Sequence, residues 1–467
     1  MPAEKYDVAI IGGGPAGMSA ASILAEHSVK TLLIDENGRL GGQLWRGSAK
    51  PAGVSRFINP LNNKINLPAT TGYHNGSLLV HSSACVLGVF PDNNILLSSK
   101  EEGIKEIKAK NILFATGARE KVRPFEGWTL PEVMTVGAAQ ILLKNHQILA
   151  ASEILINGTG PLIYLLAGNI LSRNGRISAL LDRSTFTSLL AATRVMGGQL
   201  SKLGQGCSSL GYLLKNRVLP KYRRQIIKAE NKGDLIEATT VEISSDGTIV
   251  SGSSRQYKTQ IIAVTNGFVG NIELPQVAGC ELEYSSAKGG WFVTVDSSME
   301  TSVNTIFAAG EITGIAGGDK AVTEGRLAAL SILHQSGRMS KRDFDNKQKP
   351  LLIKRKQYQR FGTYLNHQWA IPSKEWNTID DDTIICRCED ITIGKLRSWI
   401  KTGFTSSSVL KRATRCSMGN CQGRTCGPLI YDILAAYAPA SNKRPFSARM
   451  PVKPVLLGDL AQVEVIQ

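Results

Sequence analysis

Eight cysteines occur among 467 residues, and five of them, Cys386, Cys388, Cys416, Cys421 and Cys426, fall within one stretch of 41. Cys386-x-Cys388 and Cys421-x4-Cys426 make two pairs separated by 32 residues. In a reducing compartment such a grouping reads as a metal or redox centre rather than a disulfide framework. Four thiolates in two pairs suit tetrahedral zinc or an iron–sulfur cluster. The surroundings favour the cluster. Zinc knuckles use Cys-x2-Cys on hairpin turns, whereas these pairs lie beside helical patterns: Ile393–Lys401, stopped at Gly403, and a last helix opening near Cys426 and running towards Tyr437. Arg387, Lys395, Arg397, Lys401, Lys411, Arg412, Arg415 and Arg424 stand against Glu389 and Asp390 alone. Positive charge and helix N-terminal amides stabilise the electron that such a cluster accepts. Cys85, Cys207 and Cys280 are isolated and read as buried, inert thiols.

The other residues with an evident chemical task are glycines. Asp7–Asp35 reads as an apolar strand, a glycine turn, a helix, a second strand and an acid. Gly12, Gly14 and Gly17 give the order G-x-G-x-x-G, with Pro15 and Ala16 opening the helix. This is the pattern that binds a dinucleotide. Gly12 permits the tight turn, Gly14 leaves room for a pyrophosphate, and Gly17 lets helix and strand pack closely. The phosphates sit on unpaired helix N–H groups. Asp35, eighteen residues after Gly17, can accept hydrogen bonds from a ribose. Glu36 and the loop through Gly42 and Gln43 would lie along the same cofactor.

These residues need a scaffold. Residues 88–99 and 104–109 read as short strands of a meander. Asn111–Gly117 (NILFATG) reads as a strand stopping at Ala115, Thr116 and Gly117, small enough for close approach of backbone and cofactor. Glu153–Ile163 repeats the first logic with Gly158-x-Gly160 and a strand ending at Asp182, but Ile163 stands where a third glycine would be. A second nucleotide there, NAD(P) or ATP, and a unit without ligand both fit that departure. Thr305–Glu311 (TIFAAGE), with Gly310 and Glu311 at its turn, resumes and closes the first unit. The expected fold is α/β, with two Rossmann-like dinucleotide-binding domains, the second inserted in the first. The FAD-type domain spans 1–120 and 290–335, and the inserted domain 121–289. A basic linker over 336–380, a small helical domain over 381–440 and a tail over 441–467 follow.

The order GGGPAG, ATG, a second G-x-G and AAGE resembles the two-dinucleotide-domain flavoproteins related to the pyridine nucleotide-disulfide oxidoreductases. That resemblance implies FAD at the first fingerprint and places Glu311, where aspartate is commoner, near the flavin's ribityl or pyrophosphate part. No cysteine pair lies near the flavin domain, so disulfide reduction is not expected. CRCED and TRxxMGxCQGRxC resemble the bacterioferritin-associated-ferredoxin-like [2Fe–2S] domain, in the form found in the larger flavoprotein subunit of heteromeric amino-acid and opine dehydrogenases. The flavoprotein subunits of this kind in opine oxidase, hydrogen cyanide synthase and D-hydroxyproline dehydrogenase form the group. The resemblance implies cluster ligands at Cys386, Cys388, Cys421 and Cys426, with Cys416 a neighbour. Ser417 stands where the group usually has glycine, which leaves that turn's backbone open.

The resemblance also implies partners. One is a catalytic FAD-containing amine or amino-acid oxidase-like subunit. Some complexes add a small ferredoxin-like [2Fe–2S] subunit, and some hold FMN at a subunit interface. The expected role is electron transfer from the catalytic partner to an acceptor. The alternative is a self-sufficient NAD(P)H-dependent reductase using residues 153–182. The six histidines are scattered and no catalytic acid or base is evident. The net charge of +16 is concentrated in 341–360 and 386–426. No nucleic-acid motif accompanies it, so no nucleic-acid partner is expected. No apolar run reaches membrane-helix length and no signal-peptide pattern opens the chain. The expected location is cytoplasmic, with peripheral contact at the inner membrane left open.

Overall fold

The computed structural model describes residues 4–45, 72–74, 76–195, 210–439 and 444–461, so Cys207 lies outside the described residues. Strand β1 (Glu4–Ile11) is apolar because it runs through the middle of a sheet covered on both faces; Val8, Ala9 and Ile10 are wholly buried. Helix α1 (Pro15–Glu26) returns the chain to β2 (Thr31–Asp35), which is buried throughout and parallel to β1. A short helix α2 (Gly42–Trp45) follows. With β3 (Gly72–His74), β4 (Leu78–Ser82), β5 (Ala84–Phe90), β6 (Asn94–Ser99) and β7 (Gly103–Phe114), the sheet runs β3-β4-β2-β1-β7-β6-β5. The strand Ile306–Ala308 joins it parallel to the end of β7. Residues 104–109 and 111–114, expected as separate strands, are one. The first half of β7 pairs antiparallel with β6, while its second half runs parallel to β1. Lys108 and Lys110 interrupt the apolar run, but they alternate with the buried Ile107 and Ala109 along one interior strand, and Lys110 pairs with Asp7 at 2.9 Å.

The insertion leaves along β8 (Ala118–Glu120) and returns along Phe268–Gly270, and these two segments pair antiparallel. Between them, β9 (Val133–Thr135), α3 (Val136–Asn145), β10 (Glu153–Gly158), α4 (Pro161–Leu171), β11 (Arg176–Asp182), α5 (Phe186–Val195) and β12 (Lys221–Tyr222) build a parallel sheet with Ile261–Val264, in the order β12-β11-β10-Ile261–Val264-β9. The architecture is the expected α/β one, with two Rossmann-like units.

Residues 336–380, expected as a basic linker, are mostly one helix, Lys341–Trp369, of 29 residues, about 44 Å at 1.5 Å per residue. Ser340 caps it, its side chain accepting from Asp343 N at 3.1 Å. Lys347, Lys349, Lys354, Lys356 and Arg360 are its solvated face, while Phe344, Phe361, Gly362, Asn366 and Trp369 are buried. Dense charge on one face of an amphipathic helix imitates a linker when the buried face is sparse. Gly362 allows this helix to lie directly on the loop that closes the first Rossmann-like unit: a Cβ there would come within 2.5 Å of Ile315 O.

The last domain is helical with one short strand pair, Ile384–Cys386 against Ile391–Thr392. Helices Ile393–Lys401, Ser407–Thr414 and Cys426–Tyr437 pack Ile393, Leu396, Leu410, Ile430 and Ile433 around the buried Trp376. Thr392 and Ser406 cap the first two, and Gly403 stops the first at φ +94°. Residues 444–452 then run back over the first Rossmann-like unit, where Val452 N donates to Leu87 O at 2.8 Å.

Candidate functional site

The first glycine turn forms for reasons visible atom by atom. Gly12 has φ +112°, and a Cβ on it would strike the Ala115 carbonyl; one on Gly17 would strike the Gly12 carbonyl. Gly14 differs. Among the described residues its nearest neighbour to a built Cβ is Gly42 Cα at 3.9 Å, so none of them fills the space it leaves. That space lies at the N-terminus of α1, where N–H groups lack partners. Asp35 ends β2 with Oδ2 accepting from Gly13 N at 2.7 Å, and Oδ1 from Asn37 N at 2.7 Å and Asn37 Nδ2 at 2.9 Å. Its carboxylate therefore holds the turn in shape as well as facing the cavity. Glu36 pairs with Lys453 of the tail.

The closing loop is held from beneath by residues the sequence motifs do not include. Lys320 and Glu324 are fully buried one helical turn apart, Nζ 3.0 Å from Oε2. Lys320 Nζ also donates to Gly310 O, Thr313 Oγ1 and Gly314 O, while Glu324 Oε2 accepts from Gly310 N at 2.9 Å. Burial would raise the Glu324 carboxyl, but Lys320 and Arg355 outweigh it and hold it below its ordinary value. Arg355, on the long helix, contributes at 2.8 Å. Glu311, expected near the cofactor, lines the cavity and accepts from Gly317 N at 2.7 Å and Ala316 N at 3.2 Å. Burial pushes its carboxyl up.

The cysteines come together as two pairs of touching thiols, Cys386 with Cys426 and Cys388 with Cys421. Hydrogen bonds from the Cys426 thiol and from the backbone at Ser417, Glu389 and Cys388 hold Cys386 below its ordinary value. Thr425 and Gly423 supply backbone hydrogen bonds to Cys421. Among the described residues no three His, Cys, Asp or Glu side chains converge on a single metal-sized point. Two pairs suit two irons. The loop is bent so that its amides face the sulfurs: Arg415, Ser417 and Gln422 have φ of +67°, +67° and +50°, unusual for side-chain-bearing residues. Ser417 thus adopts a glycine-like backbone, and its Oγ lies 3.3 Å from Cys426 Sγ. Cys416 is wholly buried, and desolvation pushes its thiol up to about 11. Cys280 is buried, but Cys85 is half-buried and lines a cavity beside the first glycine turn, so only its isolation in sequence suggested an inert core thiol.

One cavity of about 1130 Å³ joins these elements. Its walls include Gly12, Gly14, Pro15, Ala16, Asp35, Glu36, Gly42, Gln43, Ala115, Thr116, Gly117, Gly310 and Glu311. Arg387, from between the first two cysteines, and Arg424 and Thr425, from between the last two, line it as well. The chain therefore has a cradle of the right chemistry for a dinucleotide, abutting a four-thiol loop.

The second glycine turn is built differently. Gly160 has φ +92°, and a Cβ on it would lie 2.7 Å from Trp369 Nε1. Trp369, the last residue of the long helix, donates to Thr159 O at 3.0 Å and packs on Gly267, and its carbonyl accepts from Asn266 Nδ2 at 2.8 Å. It thus bridges the ends of the two central strands of this unit, where a Rossmann ligand's phosphates lie. Asp182 is 1% exposed and accepts from Thr159, Tyr164 and Ser184 N. Ile163 is wholly buried, its Cγ2 3.2 Å from a Cβ built on Gly158.

Two family models match the chain: pyridine nucleotide-disulphide oxidoreductase over residues 6–173, and BFD-like [2Fe-2S] binding domain over residues 384–436. One of the subunits of opine oxidase from Rhizobium meliloti (strain 1021), that designated A, is 31% identical over 471 residues, covering 98% of this chain and 99% of the relative. The chain belongs to the family of this opine oxidase subunit. Within that family, hydrogen cyanide synthase subunit HcnB from Pseudomonas protegens is 29% identical over 448 residues, 96% of this chain and 95% of its own length. L-proline dehydrogenase from P. horikoshii has the same fold, with a TM-score of 0.68 at 20% identity over 99% of this chain and 81% of that one. The family's domains imply FAD and a [2Fe–2S] cluster, and this member is an oxidoreductase subunit carrying both domain types. Its relatives are named as subunits, which implies partner chains. Among the described residues, no helix is long and apolar enough to cross a membrane.

Proposed function

We propose that this chain is the electron-transferring FAD and [2Fe–2S] subunit of a heteromeric amino-acid or opine dehydrogenase, receiving electrons from a partner flavoprotein that oxidises a CH–NH donor. The observation that carries the reading is the shared cavity: its walls come both from the glycine fingerprint and from Arg387, Arg424 and Thr425 of the cysteine loop. In this reading Gly12, Gly14, Pro15, Ala16, Asp35, Glu36, Gly42, Gln43, Ala115–Gly117, Gly310 and Glu311 hold FAD, with Gly17 packing the helix against the turn, and Cys386, Cys388, Cys421 and Cys426 hold the cluster. FAD supplies two-electron acceptance and the cluster one-electron exit. The chain's own residues give the flavin an oriented cradle and keep the thiols in contact with backbone N–H groups. Opines, glycine, proline and hydroxyproline are the donor class, chosen by the partner.

The NAD(P)H-dependent alternative needs an open second glycine turn. Trp369 over Gly160 and the fully engaged Asp182 weigh against it, while Thr159, Pro161 and Tyr164 of that turn still line the cavity. The test is turnover by the isolated, fully reconstituted chain. It should not oxidise octopine, glycine or proline, and should gain the activity when a partner flavoprotein encoded beside it is added. Full-rate oxidation without any partner would overturn the division of labour.

A further inference from the structure

We propose that Arg119 is a positioning residue that seats the Cys421–Cys426 loop on the flavin domain and, through its charge, sets how readily the cluster is reduced. The inference rests on the relay reading and goes beyond it, since no motif assigns Arg119 a role. Arg119 lies in β8, two residues past Gly117. Its Nε donates to Arg424 O at 3.0 Å and its Nη1 to Asn271 Oδ1 at 2.8 Å. Asn271 Nδ2 donates to Thr116 O at 2.9 Å, and Asn271 O accepts from the Thr116 hydroxyl at 2.7 Å. Thr116 faces the flavin cavity and Arg424 sits between two of the cysteines, so three side chains link the cofactor wall to the cluster loop.

Glu273 completes the junction, its Oε1 2.9 Å from Arg119 and 3.8 Å from Arg424. Two guanidiniums against one carboxylate leave an excess positive charge. Arg119, Arg424 and Glu273 are only 24%, 19% and 19% exposed, so solvent screens that charge weakly. A fixed cation at this place favours added negative charge on the thiolate loop, and Glu273 opposes it. Arginine's planar fork reaches a carbonyl, an amide oxygen and a carboxylate at once, while the charge that acts on the loop is one lysine also carries.

The test is an EPR-monitored redox titration, with mediators, of the full chain carrying flavin and iron. Arg119→Gln should make one-electron uptake by the cluster about tenfold less favourable, a downward shift of about 59 mV. Glu273→Gln should move it upward by a similar amount, and Arg119→Lys should restore most of the loss. Unmoved midpoints in both Arg119→Gln and Glu273→Gln, or shifts of the same sign, overturn the proposal. If Arg119→Gln assembles no cluster, Glu273→Gln decides: an upward shift supports the proposal, and no shift or a downward one overturns it. Mediators make the measurement independent of the flavin. Failure of the relay itself would show separately, as a cluster that mediators reduce but photoreduced flavin does not.

Discussion

Trp369 donates its indole N–H to the carbonyl of Thr159 at 3.0 Å, so the last turn of a helix from outside the inserted domain rests on that domain's glycine turn. The expected consequence is that NADH or NADPH, added anaerobically, leaves the flavin absorbance unchanged. Trp369→Ala should lower unfolding free energy by about 3–5 kcal/mol, the cost of emptying a buried tryptophan site, as measured by urea denaturation. Rapid bleaching of the wild-type flavin by NADH would show the turn to be usable.

Gly14 and Gly17 separate folding from binding. A Cβ at Gly17 would strike the Gly12 carbonyl, whereas at Gly14 the nearest atom among the described residues is 3.9 Å away. Gly14 has φ −79°, which alanine adopts without strain. Gly14→Ala should keep the melting temperature of the flavin-free protein within a few degrees and lose bound flavin. Gly17→Ala should lose both. Retention of stoichiometric flavin by Gly14→Ala would place the pyrophosphate elsewhere.

The Lys320–Glu324–Arg355 group links the closing loop to the long helix. Removing one partner of a buried pair leaves an uncompensated charge, so Lys320→Met should cost about 3–5 kcal/mol and release flavin at lower denaturant than wild type. The pH dependence has a definite sign. Glu324 and Glu375, the latter fully buried between Arg123 and Arg183, are both held below their ordinary values, by charge partners that outweigh burial. Such groups stabilise the fold fully above the unfolded carboxyl value of about 4.3, and the contribution is lost as pH falls through the lower folded values. Denaturant midpoints should therefore drop below about pH 4.5, and less steeply in Glu375→Gln than in the wild type.

Ser417 carries a hydroxyl where a glycine-like φ of +67° is required, 3.3 Å from Cys426 Sγ. Donation to a thiolate favours the reduced cluster by about 1 kcal/mol, the scale of a net hydrogen bond. Ser417→Ala should lower the cluster midpoint, while Ser417→Gly should lower it similarly and raise thermal stability by relieving the backbone. Equal midpoints in all three proteins would leave the hydroxyl without an electronic role.

The local pieces of this account were legible in the sequence. Gly12–Gly17 and the 305–311 turn announce themselves because a tight turn tolerates few residues, and the helices at Ile393 and Cys426 begin where the spacing placed them. What the sequence hid is long-range. Nothing local to Trp369 says that it meets Gly160, more than two hundred residues earlier. Lys320 and Glu324 look like an ordinary exposed helical pair until the packing of α1 and the long helix buries them. The basic stretch at 341–360 reads as a solvated linker because its buried face is carried by Phe344 and a few residues towards Trp369.

The central claim, that one chain carries a flavin site wired to a two-iron cluster, is tested most directly by anaerobic photoreduction of the purified full-length protein with flavin and iron counted. The account predicts one flavin and two irons per chain, and a reduced-cluster EPR signal that grows as the flavin absorbance falls without added mediator. Full flavin bleaching in a protein with its iron in place, but with no EPR signal, would contradict it.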